Sequence, residues 1–339
     1  MKILVTGGAG FIGHHLIESL LVETDWDIVC VDRLDYSGNL NRLHEVLSHY
    51  SEQDRRRVSF VFHDLRAPIN PQVRKAIGTV QYIVHLAAGS HVDRSIEYPL
   101  DFVMDNVVGT AHLLEYARTC TDLDLLVYFS TDEIFGPADA LTAFRENDRY
   151  NSTNPYSATK AGGEELVVAY VNTYHVPAIV THTMNVFGPR QHPEKYIPSC
   201  IRKIRDGETI AVHANPSKTK AGSRHYIHAS DVASAVLFLL RFNRSELLRQ
   251  PSATLCQKFN IVGSQEIDNL ELAQIIAHIQ QKPLCYELID YHTARPGHDL
   301  RYALDGSKMR NMGWQPAPIH DRLIHTVQWS LLHHRWLEI

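Results

Sequence analysis

A tyrosine and a lysine four residues apart are the first sign of chemistry in the sequence. Tyr156 and Lys160 follow Pro155, which favours the first turn of a helix, so a helix is predicted to begin there. A spacing of four puts both side chains on one helix face. A lysine ammonium near a phenol stabilises the phenolate and lowers its pKa, so Tyr156 is predicted to take a proton from a sugar or alcohol hydroxyl. The same spacing also arises by chance, and its meaning depends on the rest of the chain.

Two adjacent carboxyl residues follow an apolar run. Thr131, Asp132 and Glu133 come after Leu125–Phe129, which is predicted to be a buried strand. Open α/β sheets carry their chemistry at the carboxyl ends of strands, and there Thr131 can hydrogen-bond a reacting hydroxyl. The two carboxyl groups can act as an acid and a base if one stays protonated and the other ionised. The alternative is a solvated loop pair with a helix-capping role.

A glycine-rich turn near the start of the chain predicts a dinucleotide site. Gly7, Gly10 and Gly13 lie between an apolar run and a predicted helix, the context in which such a turn binds a pyrophosphate. Asp32, 19 residues after Gly13, is suited to accept both adenosine ribose hydroxyls and to repel a 2′-phosphate. NAD is therefore predicted as the cofactor, although Arg33 argues for NADP.

The predicted cofactor site extends to the next two strands. Asp64 follows the third apolar run, where it either accepts from the adenine amino group or caps a helix; both interpretations stay open. Small residues at the end of the fourth run let the backbone pass beneath a cofactor. The predicted cofactor residues are Gly7, Gly10, Phe11, Ile12, Gly13, Asp32, Asp64, Leu65, Ala87, Tyr156 and Lys160.

Apolar runs alternate with mixed-polarity stretches in the first half of the chain. The runs are continuous, as in strands buried on both faces of a parallel sheet. They are Ile3–Thr6, Ile28–Val31, Val58–Phe62, Tyr82–Leu86, Leu125–Phe129 and Ala178–Thr181. The predicted helices include Phe11–Leu21, Leu40–Ser48, Phe102–Arg118, Tyr156–Tyr174, Val232–Leu240 and Asn269–Ile279. The alternation predicts an α/β fold with a doubly wound parallel sheet, a Rossmann domain over 1–185, and a smaller, interleaved α/β substrate lobe over 186–339.

Composition narrows the class of protein. The chain has 339 residues, of which 44% are hydrophobic and 21% charged, and its net charge of −5 argues against nucleic acid as a partner. Five cysteines without a CxxC pair predict free thiols, no disulfide framework and no metal site. The opening residues leave no room for a signal peptide, and no apolar run reaches the ~18 residues of a membrane span. A soluble cytoplasmic protein without a membrane partner is expected.

Motifs along most of the chain resemble the extended short-chain dehydrogenase/reductases. Within them the resemblance is to the nucleotide-sugar 4,6-dehydratases typified by dTDP-glucose 4,6-dehydratase. The Asp132–Glu133 pair is the most discriminating motif, because related 4-epimerases usually lack it. The matching segments span residues 35–40, 90–95, 130–136, 154–160, 185–189, 193–198 and 295–299.

The resemblance implies a catalytic cycle and a quaternary structure. Tyr156 takes the proton of the sugar 4-hydroxyl while C4 hydride passes to NAD⁺, Glu133 removes the C5 hydrogen, and Asp132 protonates the departing 6-hydroxyl. Hydride then returns to C6 and a proton to C5, which leaves a 4-keto-6-deoxy sugar and regenerates tightly held NAD⁺. A homodimer is implied, through a four-helix bundle of Phe102–Arg118 and Tyr156–Tyr174. The residues implied to hold the sugar diphosphate are Asn185, Lys195, Arg224, Asn260, Arg295 and His298, and Ser90 and His91 are also predicted to bind the substrate.

Departures from the family pattern leave the sugar and the nucleotide open. Gly89 stands where the family commonly has Glu, and Phe135 where Tyr is usual. Two further enzyme activities remain as alternatives, a nucleotide-sugar 4-epimerase and a 5,6-dehydratase that stops before hydride return. A third alternative is a non-catalytic NAD-binding interaction protein. His182 and His192 are interpreted as core or surface histidines.

Overall fold

A seven-stranded parallel sheet forms the centre of the computed structural model, which describes residues 1–248, 256–290 and 300–338. The strand order is β11-β6-β5-β4-β1-β2-β3, with every neighbouring pair parallel. The strands of the large sheet are β1 (Lys2–Thr6), β2 (Asp27–Asp32), β3 (Val58–Phe62), β4 (Tyr82–His85), β5 (Leu125–Thr131), β6 (Ala178–Thr183) and β11 (Gln257–Ile261). The short strands are β7 (Val186–Phe187), β8 (Ile210–Ala214), β9 (Ser223–Arg224), β10 (Ile227–His228), β12 (Ile267–Asp268) and β13 (Tyr286–Asp290).

Helices connect the strands and cover the sheet. Those before β6 are α1 (Phe11–Glu23), α2 (Leu40–Ser48), α3 (Glu52–Arg56), α4 (Pro71–Ile77), α5 (Val92–Glu97), α6 (Pro99–Val103), α7 (Gly109–Ala117) and α8 (Pro155–Tyr174). Those after it are α9 (Tyr196–Asp206), α10 (Ala229–Arg241), α11 (Arg244–Leu247), α12 (Asn269–Gln280), α13 (Ser307–Asn311) and α14 (Ile319–Leu332). A π-helical turn covers Met104–Val108, and 3₁₀ turns cover Asp132–Phe135 and His334–Trp336.

The large sheet is buried on both faces, which explains its continuous apolar strands. In β1, Ile3 and Val5 pack into one hydrophobic core, whereas Leu4 between them packs into another on the opposite face. All seven residues of β5 are buried. The helices on the two faces therefore enclose the strands, and the polar ends of those strands are free to form a site.

The second half of the chain builds a smaller packed unit. Its apolar core joins residues of α9, β8, α12 and α14, and β13 pairs with β8 in parallel. β11 is different, because it joins the large sheet as the parallel neighbour of β6. The predicted division of the chain into 1–185 and 186–339 stays a prediction.

The structure confirms the predicted fold class, a doubly wound parallel sheet. The predicted helix over Phe102–Arg118 is divided into α6, the π-helical turn and α7. The wide turn directs Asn106 inward, where its side chain accepts a hydrogen bond from the Gly89 N–H at 2.8 Å and donates to Oγ1 of Thr159 at 2.9 Å. Within the described ranges, none of the helices combines the length and the apolar character needed to cross a bilayer.

Candidate active site

A cleft of about 400 Å³ opens at the carboxyl ends of the parallel strands, where open α/β sheets bind their ligands. It is lined by all five residues predicted to be catalytic, namely Thr131, Asp132, Glu133, Tyr156 and Lys160. It is also lined by the other nine predicted cofactor residues, namely Gly7, Gly10, Phe11, Ile12, Gly13, Asp32, Asp64, Leu65 and Ala87. The structure thus brings these two sets of predicted residues together in one site.

The glycine turn has the backbone geometry that a pyrophosphate site needs. Gly7 has a φ of +71°, a left-handed conformation that favours glycine. A Cβ atom at Gly13 would lie 2.2 Å from the Gly7 carbonyl oxygen, so only glycine allows α1 to begin this close to β1. Gly10 precedes α1 and offers no side-chain cap. The first turn of α1 therefore faces the cleft with its N–H groups and the positive end of its dipole, and fits a dinucleotide diphosphate.

Asp32 connects the glycine turn to the end of β2. Its carboxylate accepts the Ala9 N–H at 3.0 Å and the Leu34 N–H at 2.8 Å. Burial raises the pKa of Asp32, and the two N–H donors oppose that rise. Asp64 also lines the cleft, and its carboxylate accepts the Arg66 N–H at 2.9 Å. This hydrogen bond closes a turn and not the start of a helix, since the next helix begins at Pro71. The helix-cap interpretation of Asp64 is therefore wrong.

Asp132 is a buried carboxyl group with one unused oxygen. Its Oδ1 accepts the Thr131 hydroxyl at 3.1 Å. Its Oδ2 is buried without a hydrogen-bond partner among the described residues. Burial, followed by the neighbouring charge of Glu133, raises the pKa of Asp132 to about 7. A carboxyl group in this environment keeps its proton near neutral pH and can donate it to a ligand in the cleft.

Glu133 is held by the residue that caps α8. Asn154 Nδ2 donates to Glu133 Oε2 at 3.0 Å, while Asn154 Oδ1 accepts the Ser157 N–H at 2.8 Å. The Ser157 hydroxyl faces the Asn154 N–H in return, so a reciprocal capping box fixes the start of α8. This contact connects the carboxyl pair after β5 to the helix that carries Tyr156 and Lys160.

Tyr156 and Lys160 occupy the buried first turns of α8, as predicted. Burial, followed by the charge of Glu133, raises the pKa of Tyr156, and a hydrogen bond with Thr131 opposes this rise. Burial lowers the pKa of Lys160 to about 7, and Glu164 opposes that shift. The prediction that Lys160 leaves the Tyr156 phenol with a lowered pKa is wrong for the protein alone, because desolvation and the charges of Glu133 and Asp132 raise that pKa.

A buried ionic network lies one helical turn beyond Lys160. Glu164 has a fully buried side chain that contacts Nε2 of His182 at 3.1 Å and Nζ of Lys258 at 2.8 Å, and it also accepts the Tyr150 hydroxyl. The charges of His182 and Lys258, despite burial, hold the pKa of Glu164 well below its usual range. His182 is therefore a core histidine, one of the two interpretations given above, whereas His192 lines the cleft.

The residues predicted to bind the substrate separate into three groups. Ser90, His91, Asn185 and Lys195 line the cleft. Arg224 and Asn260 do not line it. Arg295 and His298 lie outside the described residues.

Arg224 lies beside the cleft, with its guanidinium turned to the protein. Its Nη1 donates to the carbonyl oxygens of Ser223 at 2.7 Å and Leu300 at 2.6 Å. The guanidinium also stacks on the Tyr302 ring, 4.6 Å from its centroid. Its charge still reaches the carboxyl pair, because it lowers the pKa of Asp132.

Asn260 is a correction to the sequence prediction. Its side chain is fully buried in β11, where Nδ2 donates to the carbonyl oxygens of Phe144 at 3.0 Å and Asp305 at 3.1 Å. Its Oδ1 faces Nδ1 of His182 at 2.9 Å. Both polar atoms of the side chain are thus used inside the protein, and Asn260 connects β11 to β6 instead of facing the cleft.

The cleft also contains residues that the sequence analysis did not predict. Asn154 lies next to a recognised motif, and its capping role is visible in the order Asn-Pro-Tyr-Ser. Asp105 and Arg66 line the cleft near Arg33, but nothing local in the sequence marks them as partners. No group of three or more His, Cys, Asp or Glu side chains suited to a metal ion occurs in residues 1–248, 256–290 and 300–338.

Comparisons with known proteins agree with this fold. The family model described as GDP-mannose 4,6 dehydratase matches residues 4–327. The low-salt glycan biosynthesis protein Agl12 of Haloferax volcanii is 37% identical, over 93% of this chain and 94% of its own. The dTDP-glucose 4,6-dehydratase 1 of Escherichia coli K12 is 34% identical, over 100% of this chain and 95% of its own. A solved structure of the dTDP-glucose 4,6-dehydratase DesIV from Streptomyces venezuelae, with NAD bound, has a TM-score of 0.85 at 32% identity and covers 100% of this chain and 99% of the other.

The chain belongs to the GDP-mannose 4,6-dehydratase family of nucleotide-sugar-modifying enzymes. The resemblance stated from the motifs is thereby confirmed. The predicted class of activity, an NAD-dependent nucleotide-hexose 4,6-dehydratase, is confirmed at the level of this family.

Proposed function

We propose that the protein converts a nucleoside-diphosphate hexose into its 4-keto-6-deoxy derivative, with NAD as a permanently bound cofactor. The observation that carries the proposal is Asp132, a buried carboxyl group with a pKa of about 7 and an unused oxygen in the same cleft as Thr131, Tyr156 and Lys160. Simple oxidation or epimerisation at C4 has no step for such an acid. Elimination of the 6-hydroxyl requires one.

The first half of the reaction needs a base at the sugar 4-hydroxyl. Tyr156 is assigned the acceptance of that proton, and the hydrogen bond from the neighbouring Thr131 hydroxyl opposes the rise that burial causes in the pKa of Tyr156. Lys160, buried on the same helix, adds a positive charge when it is protonated. NAD, when bound, supplies the acceptor and later the donor of the hydride. Gly7 to Gly13 and Asp32 would hold its diphosphate and its adenosine ribose, respectively.

The second half of the reaction needs a base and an acid on the carbons beyond C4. Once C4 is a ketone, the C5 hydrogen is acidic, and Glu133 is assigned its removal. Asp132 keeps its proton near neutral pH and is assigned its donation to the 6-hydroxyl as water leaves. Glu133 returns its proton to C5, and the proton that Tyr156 took from the 4-hydroxyl passes through solvent to Asp132 before the next cycle, so Tyr156 and both carboxyl groups end in their starting states.

Binding of the sugar diphosphate is assigned to the side of the cleft formed by the smaller unit. Lys195 at the start of α9 carries a cation suited to a diphosphate, and Asn185 follows β6. Ser90 and His91 also line the cleft, near the start of α5. These four positions are the members of the predicted substrate set that line the cleft.

A panel of nucleotide sugars tests the activity. dTDP-glucose, UDP-glucose, CDP-glucose and GDP-mannose are each incubated with the purified chain, and the products are read by mass spectrometry and proton NMR. Loss of one water with a ketone at C4 and a methyl group at C6 is the expected result for at least one sugar. An isomer of unchanged mass would identify an epimerase, a 5,6-alkene would identify the 5,6-dehydratase, and no turnover would favour the binding protein.

dTDP-glucose is the first substrate to test. Relatives named dTDP-glucose 4,6-dehydratase are 34% identical over the full length of the chain. A UDP-glucose 4-epimerase structure from Thermus thermophilus, in complex with NAD, has a TM-score of 0.82 at 25% identity, so the fold also carries the alternative activity. The Asp132–Glu133 pair is the feature that favours dehydration.

We also propose the homodimer implied above, through the four-helix bundle of Phe102–Arg118 and Tyr156–Tyr174, with α5, α6 and the π-helical turn at its surface. Large apolar side chains are exposed in this short stretch: Ile96, Tyr98, Leu100, Val103 and Met104. A patch of this kind on a single surface marks an interaction site, and a two-fold contact with a second copy is the commonest way to cover it.

In light scattering, the chain is expected to have a dimeric mass and Leu100→Glu a monomeric one. Leu141→Glu, at an exposed leucine outside the patch, is the matched control and keeps the dimeric mass.

A cytoplasmic location is proposed as well. All five cysteines lie in the described part of the chain as free thiols, and three of them are buried. Free thiols are typical of reducing compartments. Cell fractionation of the native producer, with detection by antibody, tests the assignment, and recovery from the membrane or the medium would contradict it.

A further inference from the structure

The arginine after Asp32 is part of an ion-pair cluster at the adenosine end of the cleft. Arg33 Nη1 donates to Asp105 Oδ1 at 2.5 Å, and Nη2 donates to Asp105 Oδ2 at 2.9 Å. Arg33 Nε donates to Asp35 Oδ2 at 2.6 Å. All three side chains line the cleft. The guanidinium is thus held on its two outer nitrogens by Asp105 and on its inner nitrogen by Asp35; Asp35 also contacts Nη2, and Asp64 Oδ1 lies 3.5 Å from Nη1.

Asp105 comes from a distant part of the chain. It lies in the π-helical turn Met104–Val108, and its side chain is 8% exposed. A second arginine, Arg66, donates through Nε to Asp105 Oδ1 at 2.7 Å. Although burial alone raises the pKa of Asp105, the hydrogen bonds from both arginines hold it below its usual value. Asp105 is therefore an ionised anchor that holds two cations.

An arginine next to the ribose-binding carboxylate is the residue type that accommodates the 2′-phosphate of NADP. A guanidinium serves a phosphate best with its paired N–H donors, and in this chain those donors already contact Asp105. The charges of the neighbouring side chains also disfavour a 2′-phosphate. Four carboxylates (Asp32, Asp35, Asp64 and Asp105) and three arginines (Arg33, Arg42 and Arg66) line this part of the cleft, so a phosphate dianion meets a net negative charge.

We infer that Asp105 is a specificity-determining residue, which enforces NAD over NADP by holding the Arg33 guanidinium in a bidentate ion pair. The inference rests on the proposed use of NAD, and it explains how an arginine next to Asp32 is compatible with that cofactor. It assigns the selectivity to a residue outside the glycine turn and outside the β2 strand end. Removal of the Asp105 charge releases the donor pair of Arg33 and reduces the negative field in one step.

Asp105→Asn and Asp105→Ala, each in the full chain, test the inference. Bound nucleotide is removed, and the dissociation constants for NAD and NADP are measured by titration calorimetry. As a second readout, the protein is incubated with an equal mixture of both cofactors, and the retained fraction of each is quantified by mass spectrometry. We expect the ratio of NADP to NAD affinity to rise at least about tenfold in both variants, the contribution of one charge-assisted hydrogen bond.

Two further variants isolate the role of Arg33. Adding Arg33→Gln to Asp105→Asn removes the released donors and should return the affinity ratio to within about twofold of the parent. Asp101→Asn is the matched control, because Asp101 precedes the same π-helical turn but is largely exposed and reaches Arg66 only at 3.9 Å. Its affinity ratio should stay at the parental value.

The possible results separate this inference from the proposed function. An unchanged ratio in both Asp105 variants, with NAD still bound, overturns the role of Asp105 and leaves the proposed function intact. If the ratio of NADP to NAD affinity stays raised when Arg33→Gln is added to Asp105→Asn, the role of Asp105 is also overturned. If the parent binds neither dinucleotide, the proposed function and the inference fail together.

Discussion

The side-chain amide of Asn154 donates a hydrogen bond to Glu133 at 3.0 Å and, through its oxygen, caps the helix that carries Tyr156. One residue thus positions both the assigned C5 base and the start of the catalytic helix. The capping box and the 3₁₀ turn after β5 meet at this point. The positions of Glu133 and Tyr156, the residues proposed for proton removal at C5 and oxidation at C4, are therefore set by a single local structure.

The two roles of Asn154 are expected to separate on substitution. Asn154→Ser keeps a capping oxygen but loses the amide donor to Glu133, so the unfolding free energy should stay close to that of the parent while water loss slows. Asn154→Ala loses the cap as well and should cost about 1 kcal/mol of stability. Urea unfolding and single-turnover product formation are the measurements. Equal rates of water loss in Asn154→Ser and in the parent would contradict the positioning of Glu133.

Substitutions in the carboxyl pair are expected to separate oxidation from elimination. Asp132→Asn removes the assigned acid and Glu133→Gln the assigned base, and loss of such a group costs ~10²–10⁴-fold in its own step. Both variants should still form NADH transiently while water loss collapses. Tyr156→Phe should instead abolish the NADH signal. Stopped-flow absorbance with rapid-quench mass spectrometry reads the two steps.

Solvent deuterium at C5 provides the control for that experiment. Glu133→Gln should lose deuterium incorporation at C5, whereas Asp132→Asn retains some through reversible exchange of the C5 hydrogen. Unmodified dehydration rates in both carboxyl variants would reduce the pair to a polar turn. The function would then be that of an epimerase or a simple dehydrogenase.

The raised pKa of Asp132 predicts the pH dependence of elimination. An acid with a pKa of about 7 is protonated below that pH, so water loss should fall as the pH rises through about 7. Single-turnover dehydration is measured from pH 5.5 to 9. The descending limb should be absent from the residual activity of Asp132→Asn. If Asp132→Asn still loses activity as the pH rises through about 7, the pH dependence belongs to another group, such as Lys160, whose pKa is also about 7.

Most of the fold could be predicted because its determinants are local. Strands buried on both faces need continuous apolar runs, and the predicted Leu125–Phe129 became β5 with two further residues at its end. The glycine turn and the Tyr156–Lys160 pair each depend on spacing within one element. These signals are complete within a few consecutive residues, and the structure adds little to them.

The remaining features depend on contacts between distant residues. Arg33 and Asp105 are 72 positions apart, and no periodicity connects them. Asn260 matched a family position, but it pairs with His182 in the neighbouring strand, and its side chain contacts His182 inside the protein. The pKa of Tyr156 is raised and not lowered as predicted, because the side chain is buried near the charge of Glu133. Both effects arise from the packing of the cleft, which the spacing of Tyr156 and Lys160 within one helix does not reveal. Burial and long-range pairing are the two quantities that the sequence pattern does not contain.

Glu164 is expected to be essential to stability. Glu164→Gln leaves His182 and Lys258 buried without their anion, and breaking a buried ion pair in this way costs about 3–5 kcal/mol. Glu165→Gln, at the next and exposed position of α8, is the matched control and should change the unfolding free energy by less than about 0.5 kcal/mol. Urea titration compares both variants with the parent. Similar values for the two would show that the buried network carries no net stability.

Three buried histidines predict that acid destabilises the fold near pH 6. Burial lowers the pKa of His15 and His85 to about 3 and that of His228 to about 2. In the unfolded chain each histidine has a pKa of about 6.5 and takes up a proton below it, whereas the folded protein does not. Each histidine therefore lowers the unfolding free energy by about 1.4 kcal/mol for every pH unit below about 6.5, until the pH reaches the pKa of that histidine in the folded protein.

The raised pKa of Asp132 acts in the opposite sense over part of this range, because the folded protein then binds a proton that the unfolded chain releases. A comparison of variants removes that contribution. His15→Gln keeps an amide donor for the Pro189 carbonyl that His15 Nε2 contacts at 3.1 Å, and it deletes one titrating group. The pH slope of the unfolding free energy between pH 6 and 5 should fall by about 1 kcal/mol per unit, as measured by urea unfolding. His320→Gln, at an exposed histidine hydrated in both states, should leave the slope unchanged. Parallel slopes for His15→Gln and the parent would mean that His15 takes up its proton without unfolding.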